Sequence, residues 1–341
     1  MRYIGSKNKL LGKIESVINE NCKDCTYFCD IFSGTGAVAE YFKTRFSIIS
    51  NDYLYFSYVI QCAKLLNNKR PSFEKLKNII NEDVLNYLDD INKKNLEFDE
   101  SLFFIKNNYS DFGNRPYLTQ QNAEKIDKWR ITIENWKNNG LLSDEEYYYL
   151  VACVIEAVPF YSNISGTYGA FLKTWDRRAL KDIKLQRLDI VKSIGKNRCF
   201  NENSDELIKN IRGDILYLDP PYNERQYLPN YHLLETVAKY DYPEIHGVTG
   251  IRGYSSQKSL WCQKKFVKEV FENMVAQANF KYVILSYNTD GLMSVEEIEN
   301  IMKKYAKESV KTYRINYNRF KSRALVNQSK LEELIFIIEK K

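Results

Sequence analysis

Short apolar or β-branched runs bounded by turn residues recur along the chain and predict four strands. These are Tyr27–Phe32, Ser47–Asn51, Asp214–Asp219 and Lys281–Tyr287. Apolar positions at helical spacing follow most of them. The helices predicted in this way are Ala37–Lys43, Tyr53–Leu66, Tyr231–Tyr240 and Trp261–Ala278. Alternation of strand and helix predicts an α/β fold with a mostly parallel sheet and helices on both of its faces.

The alternation stops between Leu66 and about Gly195, where the sequence becomes polar, aromatic and mostly helical. The helical stretches predicted there are Pro71–Asn95, Asn122–Asn138 and Ser143–Ile155. We interpret this region as an insertion into one sheet domain. The expected organisation is a sheet domain made of residues 1–62 and 196–341, with an inserted helical domain at 63–195.

The C-terminal region has a different pattern and a different charge. Two strand-like runs, Val310–Phe320 and Leu331–Glu339, predict an antiparallel pair added to the sheet. Residues 301–341 contain 11 basic and 4 acidic side chains, whereas the whole chain has a net charge of +6. A basic end on a nearly neutral body is typical of a face that binds a polyanion such as nucleic acid. An ordinary solvated surface is the alternative interpretation.

The composition is that of an ordinary folded protein. Of the 341 residues, 44% are hydrophobic and 28% charged, which excludes a disordered or fibrous chain. The longest unbroken apolar run, Tyr147–Ile155, is far shorter than the ~18 residues that span a bilayer. The first residues contain no apolar segment of the kind found in signal peptides, so we expect a cytoplasmic protein with no membrane association.

The cysteines predict neither disulfides nor a metal site. There are 7 of them without a secretory signal, which argues against a disulfide framework. The spacing of Cys22, Cys25 and Cys29 hints at zinc, but a zinc site needs four ligands. The chain has no second Cys-x-x-Cys pair and only two histidines, His232 and His246. We therefore expect reduced, mostly buried thiols.

A glycine-rich turn follows the first predicted strand. The segment Asp30–Ala37 contains Gly34 and Gly36 between an apolar strand and a helix. Glycines at such a turn let the backbone approach a ligand closely. The segment lacks the Gly-Lys-Ser/Thr ending of an ATPase phosphate loop and the third glycine of a dinucleotide loop. Taken alone, it leaves a cofactor loop and an ordinary strand–helix turn both open.

An acidic residue, Asp52, stands at the end of the second predicted strand. In doubly wound folds, an acid at this place accepts hydrogen bonds from ribose hydroxyls. The alternative is that Asp52 caps the helix expected to begin near Tyr53.

The segment Ile215–Tyr222, with the sequence I-L-Y-L-D-P-P-Y, is the most informative in the chain. It places Asp219 and an aromatic ring at the carboxyl end of a buried strand, where open α/β sheets bind ligands. The two prolines fix the turn and remove two N–H donors, so the Pro220 carbonyl is available to accept a hydrogen bond. Asp219 and this carbonyl can bind the two hydrogens of one amine while Tyr222 stacks on a flat ring. The geometry fits an exocyclic amine on a planar heterocycle.

Asp219–Tyr222 downstream of Phe32-x-Gly34-x-Gly36 resembles the amino-group DNA methyltransferases that make N6-methyladenine. Residues 2–7, R-Y-I-G-S-K, are similar to the N-terminal segment of their α class, which includes the Dam-like, D12-type enzymes. Further stretches resemble modification enzymes of type II restriction systems, namely Gly166–Lys173, Arg225–Thr236, Gly247–Arg252 and Ser286–Asn288. The resemblance implies a Rossmann-like methyltransferase sheet, mostly parallel with an antiparallel C-terminal strand.

The same resemblance implies S-adenosylmethionine as the cofactor. Lys7, together with Tyr3, would hold the methionine end, and Asp30 would bind its ammonium. Near residue 203 the family often has an acid that contacts the cofactor adenine, where this chain has Asn203 with Asp205 two residues further on. The expected cofactor-binding residues are Tyr3, Lys7, Asp30, Phe32, Gly34, Gly36, Asp52 and Asn203.

The expected catalytic residues are Asp219, Pro220 and Tyr222. The target adenine must leave the duplex, because its N6 is inaccessible to the cofactor inside the base stack. Tyr222 would then stack on the flipped base while Asp219 and the Pro220 carbonyl orient the amine. The predicted function is site-specific adenine-N6 methylation of double-stranded DNA within a restriction-modification system. We expect a monomer whose cognate restriction endonuclease acts on the same site without a stable complex.

Two alternatives remain open from the sequence. Related folds with Asn-Pro-Pro-Tyr modify RNA or protein glutamine, and a binding-only subunit could read DNA without catalysis. If DNA is the substrate, we expect the inserted domain to read the bases, because Arg suits guanine and Asn or Gln suits adenine. The candidate readers are Asn114, Arg115, Gln120, Gln121, Arg130, Arg177 and Arg178. Phosphate contacts are expected from Arg314, Arg319, Lys321 and Arg323, with Arg225 as a further candidate.

Overall fold

The structure is a computed structural model that describes residues 5–316 and 332–341. The chain divides into two compact units. The first contains residues 54–192 and 227–257 together with the described residues before Lys7. The second contains 7–53, 193–226 and the described residues from Lys258 onward. The unit with the predicted insertion therefore also takes in 227–257, which the sequence analysis assigned to the sheet domain. The functional roles of the two domains stay a prediction.

The second unit is built on a seven-stranded sheet in the order β3-β2-β1-β4-β7-β9-β8. The strands of the described chain are β1 (Tyr27–Asp30), β2 (Ser47–Asn51), β3 (Arg198–Phe200), β4 (Arg212–Leu218), β5 (Ile245–His246), β6 (Ile251–Arg252), β7 (Asn279–Asn288), β8 (Lys311–Asn316) and β9 (Glu332–Glu339). From β3 to β7 in this order, each strand is parallel to the next one. Strand β9 is antiparallel to both β7 and β8. The mostly parallel sheet with an antiparallel C-terminal pair is confirmed.

The α-helices of the described residues are α1 (Leu11–Asn21), α2 (Ala37–Phe42), α3 (Tyr55–Leu65), α4 (Glu74–Lys77), α5 (Val84–Asp89), α6 (Phe104–Tyr109), α7 (Gln120–Asn138), α8 (Asp144–Ala157), α9 (Ser204–Leu207), α10 (Leu228–Lys239), α11 (Val267–Gln277) and α12 (Val295–Tyr305). Local sequence explains several of their starts. A capping box formed by Ser143 and Glu146 opens α8, and Ser294 with Glu297 opens α12 in the same way. Thr119 caps α7 through its side-chain oxygen.

Each unit has its own apolar core. In the first unit, α3, α8 and α10 bury side chains such as Val59, Val154 and Leu234. In the second, the sheet packs against α11 and α12 through side chains such as Val283 and Phe271. Helix α8 is buried from Tyr149 to its end at Ala157, which accounts for most of the long apolar run of the sequence.

The structure differs from the predicted elements in a few places. Strand β3 has only three residues, too few for a recognisable apolar pattern, and was not predicted. The helix predicted from Trp261 begins only at Val267, because residues 260–262 form a separate 3₁₀ turn capped by Ser259. The stretch 71–95 contains two short helices, α4 and α5, and not one continuous helix. The part of Val310–Phe320 after Asn316 lies outside the described residues.

Two observations concern membranes and metals. No helix in the described ranges has both the length and the apolar character needed to cross a bilayer. Within those ranges, no group of three or more His, Cys, Asp or Glu side chains is arranged to hold a metal ion. The seven cysteines are free thiols, and burial raises the pKa of Cys22 to about 12.

Candidate active site

The acidic residues singled out in the sequence meet at one edge of the sheet in the second unit. Asp30 is the last residue of β1 and lies in register with Ser50 of β2 and Tyr217 of β4. Asp52 follows β2, and Asp219 follows β4. These strands are parallel and adjacent, so their C-terminal ends lie at one edge of the sheet. The side chains of Asp30, Asp52 and Asp219 therefore lie near one another. The charges of Asp219 and Asp52 both act on Asp30.

The glycine-rich turn after β1 is held by the end of β2. Gly34 and Gly36 have φ values of 52° and 77°, a left-handed conformation that other residues adopt only with strain. The backbone N–H of Ser33 donates to the Asn51 carbonyl at 2.9 Å. The backbone N–H of Gly34 donates to Oδ2 of Asp52 at 2.8 Å. The turn is therefore an anchored feature of this edge and not a loose connection.

The structure assigns Asp52 a different contact from the helix cap considered as an alternative. The first two backbone N–H groups of α3, those of Tyr55 and Phe56, donate to the carboxylate of Glu235 within the first unit. Glu235 therefore accepts the hydrogen bonds of these two N–H groups at the start of α3. The Asp52 carboxylate instead holds the glycine-rich turn.

Asp30 is a buried carboxyl group at this edge. Its side chain is buried, and neither carboxylate oxygen has a hydrogen-bond partner in the part of the chain that the structure describes. Burial raises the pKa of Asp30 to about 8, and the charges of Asp219 and Asp52 add to this rise. The Ser33 hydroxyl and the Ala39 backbone N–H lie near enough to oppose the rise without meeting hydrogen-bond geometry. A buried, unpartnered carboxyl group is costly unless a ligand pairs with it. It suits a cationic group such as an ammonium.

The region around Asn203 lies beside the same strand ends. The Asn201 side chain donates to the Asp52 carbonyl at 2.8 Å, which ties this segment to the end of β2. Oδ1 of Asn203 accepts the backbone N–H of Asp205 and caps α9. Oδ1 of Asp205 accepts the indole N–H of Trp261 at 2.9 Å. Both candidate contacts for the cofactor adenine are therefore also used within the fold.

Phe32 and Trp261 form an aromatic corner next to this segment. Their rings meet edge to face with centroids 5.0 Å apart. Phe32 is partly exposed, whereas Trp261 is buried against α11. The sequence analysis did not identify Trp261 as a site residue, because it lies outside every motif and only the fold brings it here.

The Asp219–Tyr222 segment surrounds a buried lysine. The Lys7 ammonium lies 3.3 Å from Oδ1 of Asp219 and donates to the Tyr222 hydroxyl at 3.1 Å. It also donates to Oε2 of Glu333, on β9, at 3.1 Å. Burial alone would lower the pKa of Lys7, but the surrounding acidic groups raise it well above its usual value. Lys7 therefore stays a cation beside the Asp219–Tyr222 segment.

Asp219 itself is perturbed. Burial raises its pKa to about 6, the Lys7 charge opposes this rise, and the Glu333 charge adds to it. The Pro220 carbonyl accepts no hydrogen bond from any described residue. The prediction that Asp219 and the Pro220 carbonyl bind one amine stays a prediction.

The Tyr222 ring has a fixed orientation. It meets the buried ring of Tyr287 edge to face at 5.7 Å, and its backbone carbonyl accepts the N–H of Leu292 at 3.1 Å. Tyr287 can lie here because Gly291 has no side chain, since a Cβ at Gly291 would come within 2.1 Å of the ring. Tyr287 belongs to Ser286–Asn288, one of the segments that resemble the family, but its contact with Tyr222 was not predicted.

The structure thus brings together Lys7, Asp30, Gly34, Asp52 and Asp219, along with other residues that the sequence selected. These others are Phe32, Gly36, Asn203, Pro220 and Tyr222. Tyr3 lies outside the described residues. Glu333 and Trp261 join the group without having been predicted.

The arginines that were predicted to read bases, all in the first unit, differ in burial and in their hydrogen-bond partners. Arg130 is completely buried and donates to the Val237 carbonyl, so the expectation that it is available to read bases is wrong. Arg115 donates to the carbonyls of residues 247 and 248, and Arg178 pairs with Asp176. Arg177 is exposed and makes no hydrogen bond or ion pair with the described residues.

The polar candidates are exposed, as Arg177 and Arg178 are. Asn114, Gln120 and Gln121 all have exposed side chains. Among the expected phosphate contacts, Arg225 and Arg314 are exposed, and Arg314 pairs with Glu332. Arg319, Lys321 and Arg323 lie outside the described residues.

Comparison with known proteins shows the family of this chain. Residues 3–310 match the family described as D12 class N6 adenine-specific DNA methyltransferase, and the chain belongs to that family. It is 49% identical to the type II methyltransferase M.FokI of Planomicrobium okeanokoites, over the whole chain and 53% of the relative. It is 41% identical to the modification methylase StsI of Streptococcus sanguinis, again over the whole chain and 52% of the relative.

The relatives also differ from one another in length. The chain spans about half the length of M.FokI and StsI. The type II methyltransferase M.NlaIII of Neisseria lactamica is 36% identical over 96% of this chain and 95% of its own length. The family match covers most of this chain. The alignment with M.NlaIII covers almost the whole length of both proteins.

Proposed function

We propose that this chain transfers a methyl group from S-adenosylmethionine to N6 of adenine at a specific site in double-stranded DNA. The observation that carries the proposal is the single sheet edge that holds both an unpartnered buried carboxyl, Asp30, and the amine-binding motif Asp219–Tyr222. A methyl donor with a cationic end and a substrate amine would be bound within one site. This combination is what an amino-methyltransferase requires.

The residues present fit the cofactor that the family implies. The unpartnered Asp30 carboxyl would pair with the cofactor ammonium, and Asp52 would accept from its ribose. Gly34 and Gly36 would leave room beside the turn, while Phe32 and Asn203 would lie at the adenine end. When bound, S-adenosylmethionine supplies a reactive sulfonium methyl group. For Lys7 the structure suggests a role beside Asp219, in addition to the predicted contact with the methionine end.

The motif side chains would act mainly by placement. Tyr222, held edge-on by Tyr287, would stack on a flipped adenine, an interaction worth about 1–3 kcal/mol on other base-stacking platforms. Asp219 and the Pro220 carbonyl would accept the two N6 hydrogens and direct the lone pair toward the methyl group. Their negative partial charge would also stabilise the positive charge that develops on nitrogen.

We further propose that the chain acts in a restriction-modification system, as the names type II methyltransferase M.FokI and modification methylase StsI indicate for those proteins. A restriction endonuclease reading the same site would be its functional partner without a stable complex, and the methyltransferase would act as a monomer. A DNA substrate would place this activity in the cytoplasm of a bacterial cell.

We propose that residues 63–195 select the DNA sequence, because the motif residues account only for the cofactor and the adenine. Exchanging 63–195 for the matching region of a relative with another site should move the specificity. An active chimera that still modifies the original site would contradict this assignment.

The test of the function is transfer of a radiolabelled methyl group from the cofactor to duplex DNA, RNA or protein. We expect label in DNA, recovered as N6-methyladenine after digestion. Label in RNA or in protein glutamine would support the alternative transferases. Binding of DNA without any label would support a non-catalytic subunit.

A further inference from the structure

Glu333 lies in the catalytic cluster although it belongs to none of the motifs. It is on β9, in register with Asn288 of β7, and its side chain is 12% exposed. Its carboxylate accepts a hydrogen bond from the Lys7 ammonium at 3.1 Å. The antiparallel C-terminal strand thus contributes an acidic side chain to a site otherwise made at the ends of parallel strands.

Lys7 is shared between two carboxylates. Its side chain is only 4% exposed, and its ammonium lies 3.3 Å from Asp219 and 3.1 Å from Glu333. An ammonium has three hydrogens to donate. Without Glu333, the nearest anionic partner of Lys7 would be Asp219, the acceptor that the substrate amine needs. A second carboxylate draws the cation away from a close pair with Asp219.

Glu333 also changes the charge of the cluster. Lys7 and Asp219 form one pair of opposite charges, and Glu333 adds a second carboxylate to this group. In methyl transfer, the bond from N6 to carbon forms as the bond from sulfur to carbon breaks. The positive charge leaves the sulfonium and appears on N6, which then gives a proton to water. A negative cluster beside N6 stabilises that charge as it develops.

We propose that Glu333 is a positioning residue for methyl transfer, which holds Lys7 between two carboxylates and so keeps Asp219 free to bind the adenine amine. This inference rests on the proposed function. Glu333 acts through Lys7 and does not touch the reacting atoms.

The first test compares Glu333→Gln with wild type in single-turnover methylation of duplex DNA at saturating cofactor. We expect the rate to fall about tenfold, because the uncharged amide leaves Lys7 paired with Asp219. The matched control is Glu339→Gln, which removes a glutamate from the far end of the same strand. Glu339 pairs with the exposed Lys307 at 3.4 Å, and its variant should keep the wild-type rate.

A double-mutant cycle distinguishes positioning from simple support of β9. If Glu333 acts through Lys7, Glu333→Gln should add almost nothing to the loss already caused by Lys7→Met. If it only stabilises the strand, the two losses should multiply. Thermal unfolding of each variant identifies those that fail to fold, and Glu333→Asp should recover part of the rate.

The pH profile of kcat/KM for DNA, at saturating cofactor, gives an independent readout. The groups that act on Asp219 are Lys7, Tyr222, Glu333, Tyr217 and Asp30. Ionised Asp219 is the better amine acceptor, so activity should fall on the acid side near its pKa of about 6. Because the Glu333 charge raises this pKa, Glu333→Gln should move the acid limb to lower pH. A limb that stays in place would show that the Glu333 charge does not act on Asp219.

The outcomes separate the two proposals. Absence of methyl transfer by wild-type protein would overturn the proposed function. Wild-type activity together with an unchanged rate in Glu333→Gln, or with losses that multiply in the cycle, would overturn only the role of Glu333.

Discussion

The Asp52 carboxylate and the Gly34 backbone are joined by a hydrogen bond of 2.8 Å, so the end of β2 fixes the turn after β1. Asp52→Ala should remove this bond and the proposed ribose acceptor together. Hydrogen bonds to charged groups contribute about 1.5–3 kcal/mol, so the Kd for S-adenosylhomocysteine should rise roughly 10- to 100-fold. Isothermal titration calorimetry measures this change.

Asp214 provides the control for Asp52. Its carboxylate accepts two backbone N–H groups, those of Thr26 and Tyr27, at the opposite end of β1. Asp214→Ala should lower the free energy of unfolding and leave the affinity of the folded protein unchanged. An unchanged affinity in Asp52→Ala would contradict the cofactor role of Asp52.

Asp219→Ala should abolish methylation while cofactor binding persists. Removing one aimed polar group typically lowers a rate about 10²–10³-fold, and Asp219 also orients the nucleophile, so the loss should reach the upper end. Single-turnover methylation and calorimetry on the same preparation provide the two measurements. Retention of more than about a tenth of the wild-type rate would be incompatible with this role.

The two Tyr222 variants should behave differently. Tyr222→Ala removes the ring and should raise the KM for DNA, whereas Tyr222→Phe keeps the ring and its edge contact with Tyr287. Tyr222→Phe loses only the hydroxyl that accepts from Lys7, so its effect should stay within about tenfold. Fluorescence of 2-aminopurine at the target position reports base flipping. Equal defects in both variants would assign the role to the hydroxyl.

Cofactor binding should depend on pH through Asp30. Its pKa is raised to about 8 by burial, so the carboxyl is mostly protonated at neutral pH in the free protein. Pairing with an ammonium requires the ionised form, and a proton must then be released on binding. Affinity for S-adenosylhomocysteine should therefore rise up to about tenfold per pH unit from pH 6 and level off above pH 8.

The released proton can be measured directly. Calorimetric enthalpies in buffers of different ionisation enthalpy should differ in proportion to the number of protons released. Asp30→Asn should remove this dependence along with most of the affinity. Pairing that is independent of pH between 6 and 8 would mean that Asp30 is already ionised.

Arg177 is the arginine of the inserted segment that the structure leaves available for DNA. Arg177→Ala should cost about 1–3 kcal/mol at one base pair and relax specificity there, if it reads a guanine. Methylation of a library with single-position changes measures the specificity. Arg178→Ala, which removes an arginine paired with Asp176, is the neighbouring control. A uniform loss across all sequences would instead identify Arg177 as a phosphate contact.

The elements that position the site could be predicted because their signals are local. Strands β1, β2 and β4 have apolar runs that end in polar residues, and parallel strands necessarily bring those ends to one edge. Asp52 and Asp219 were found in this way, whereas the role of Asp30 was implied by the family resemblance. The antiparallel terminal pair was also predicted from its two apolar runs.

What the sequence could not indicate depends on contacts between distant segments. The position of Glu333 beside Lys7 depends on the register of β9 against β7, and no local pattern encodes that register. The buried Arg130 donates to the carbonyl of Val237 on α10, which lies 107 positions further along the chain. Arg130 was predicted as an exposed DNA contact because it is charged, but the fold buries it.

The contact between Lys7 and Glu333 joins residues 326 positions apart. At the ~5–20 residues per second of protein synthesis, the ribosome would need roughly 16–65 seconds to make the chain between them. During that time, Lys7 has been synthesised but its partner Glu333 has not. Strand β7 likewise lacks β9, its neighbour in the finished sheet. The complete cluster can therefore form only after β9 has left the ribosome, so maturation of the site is a late event in the folding of this chain.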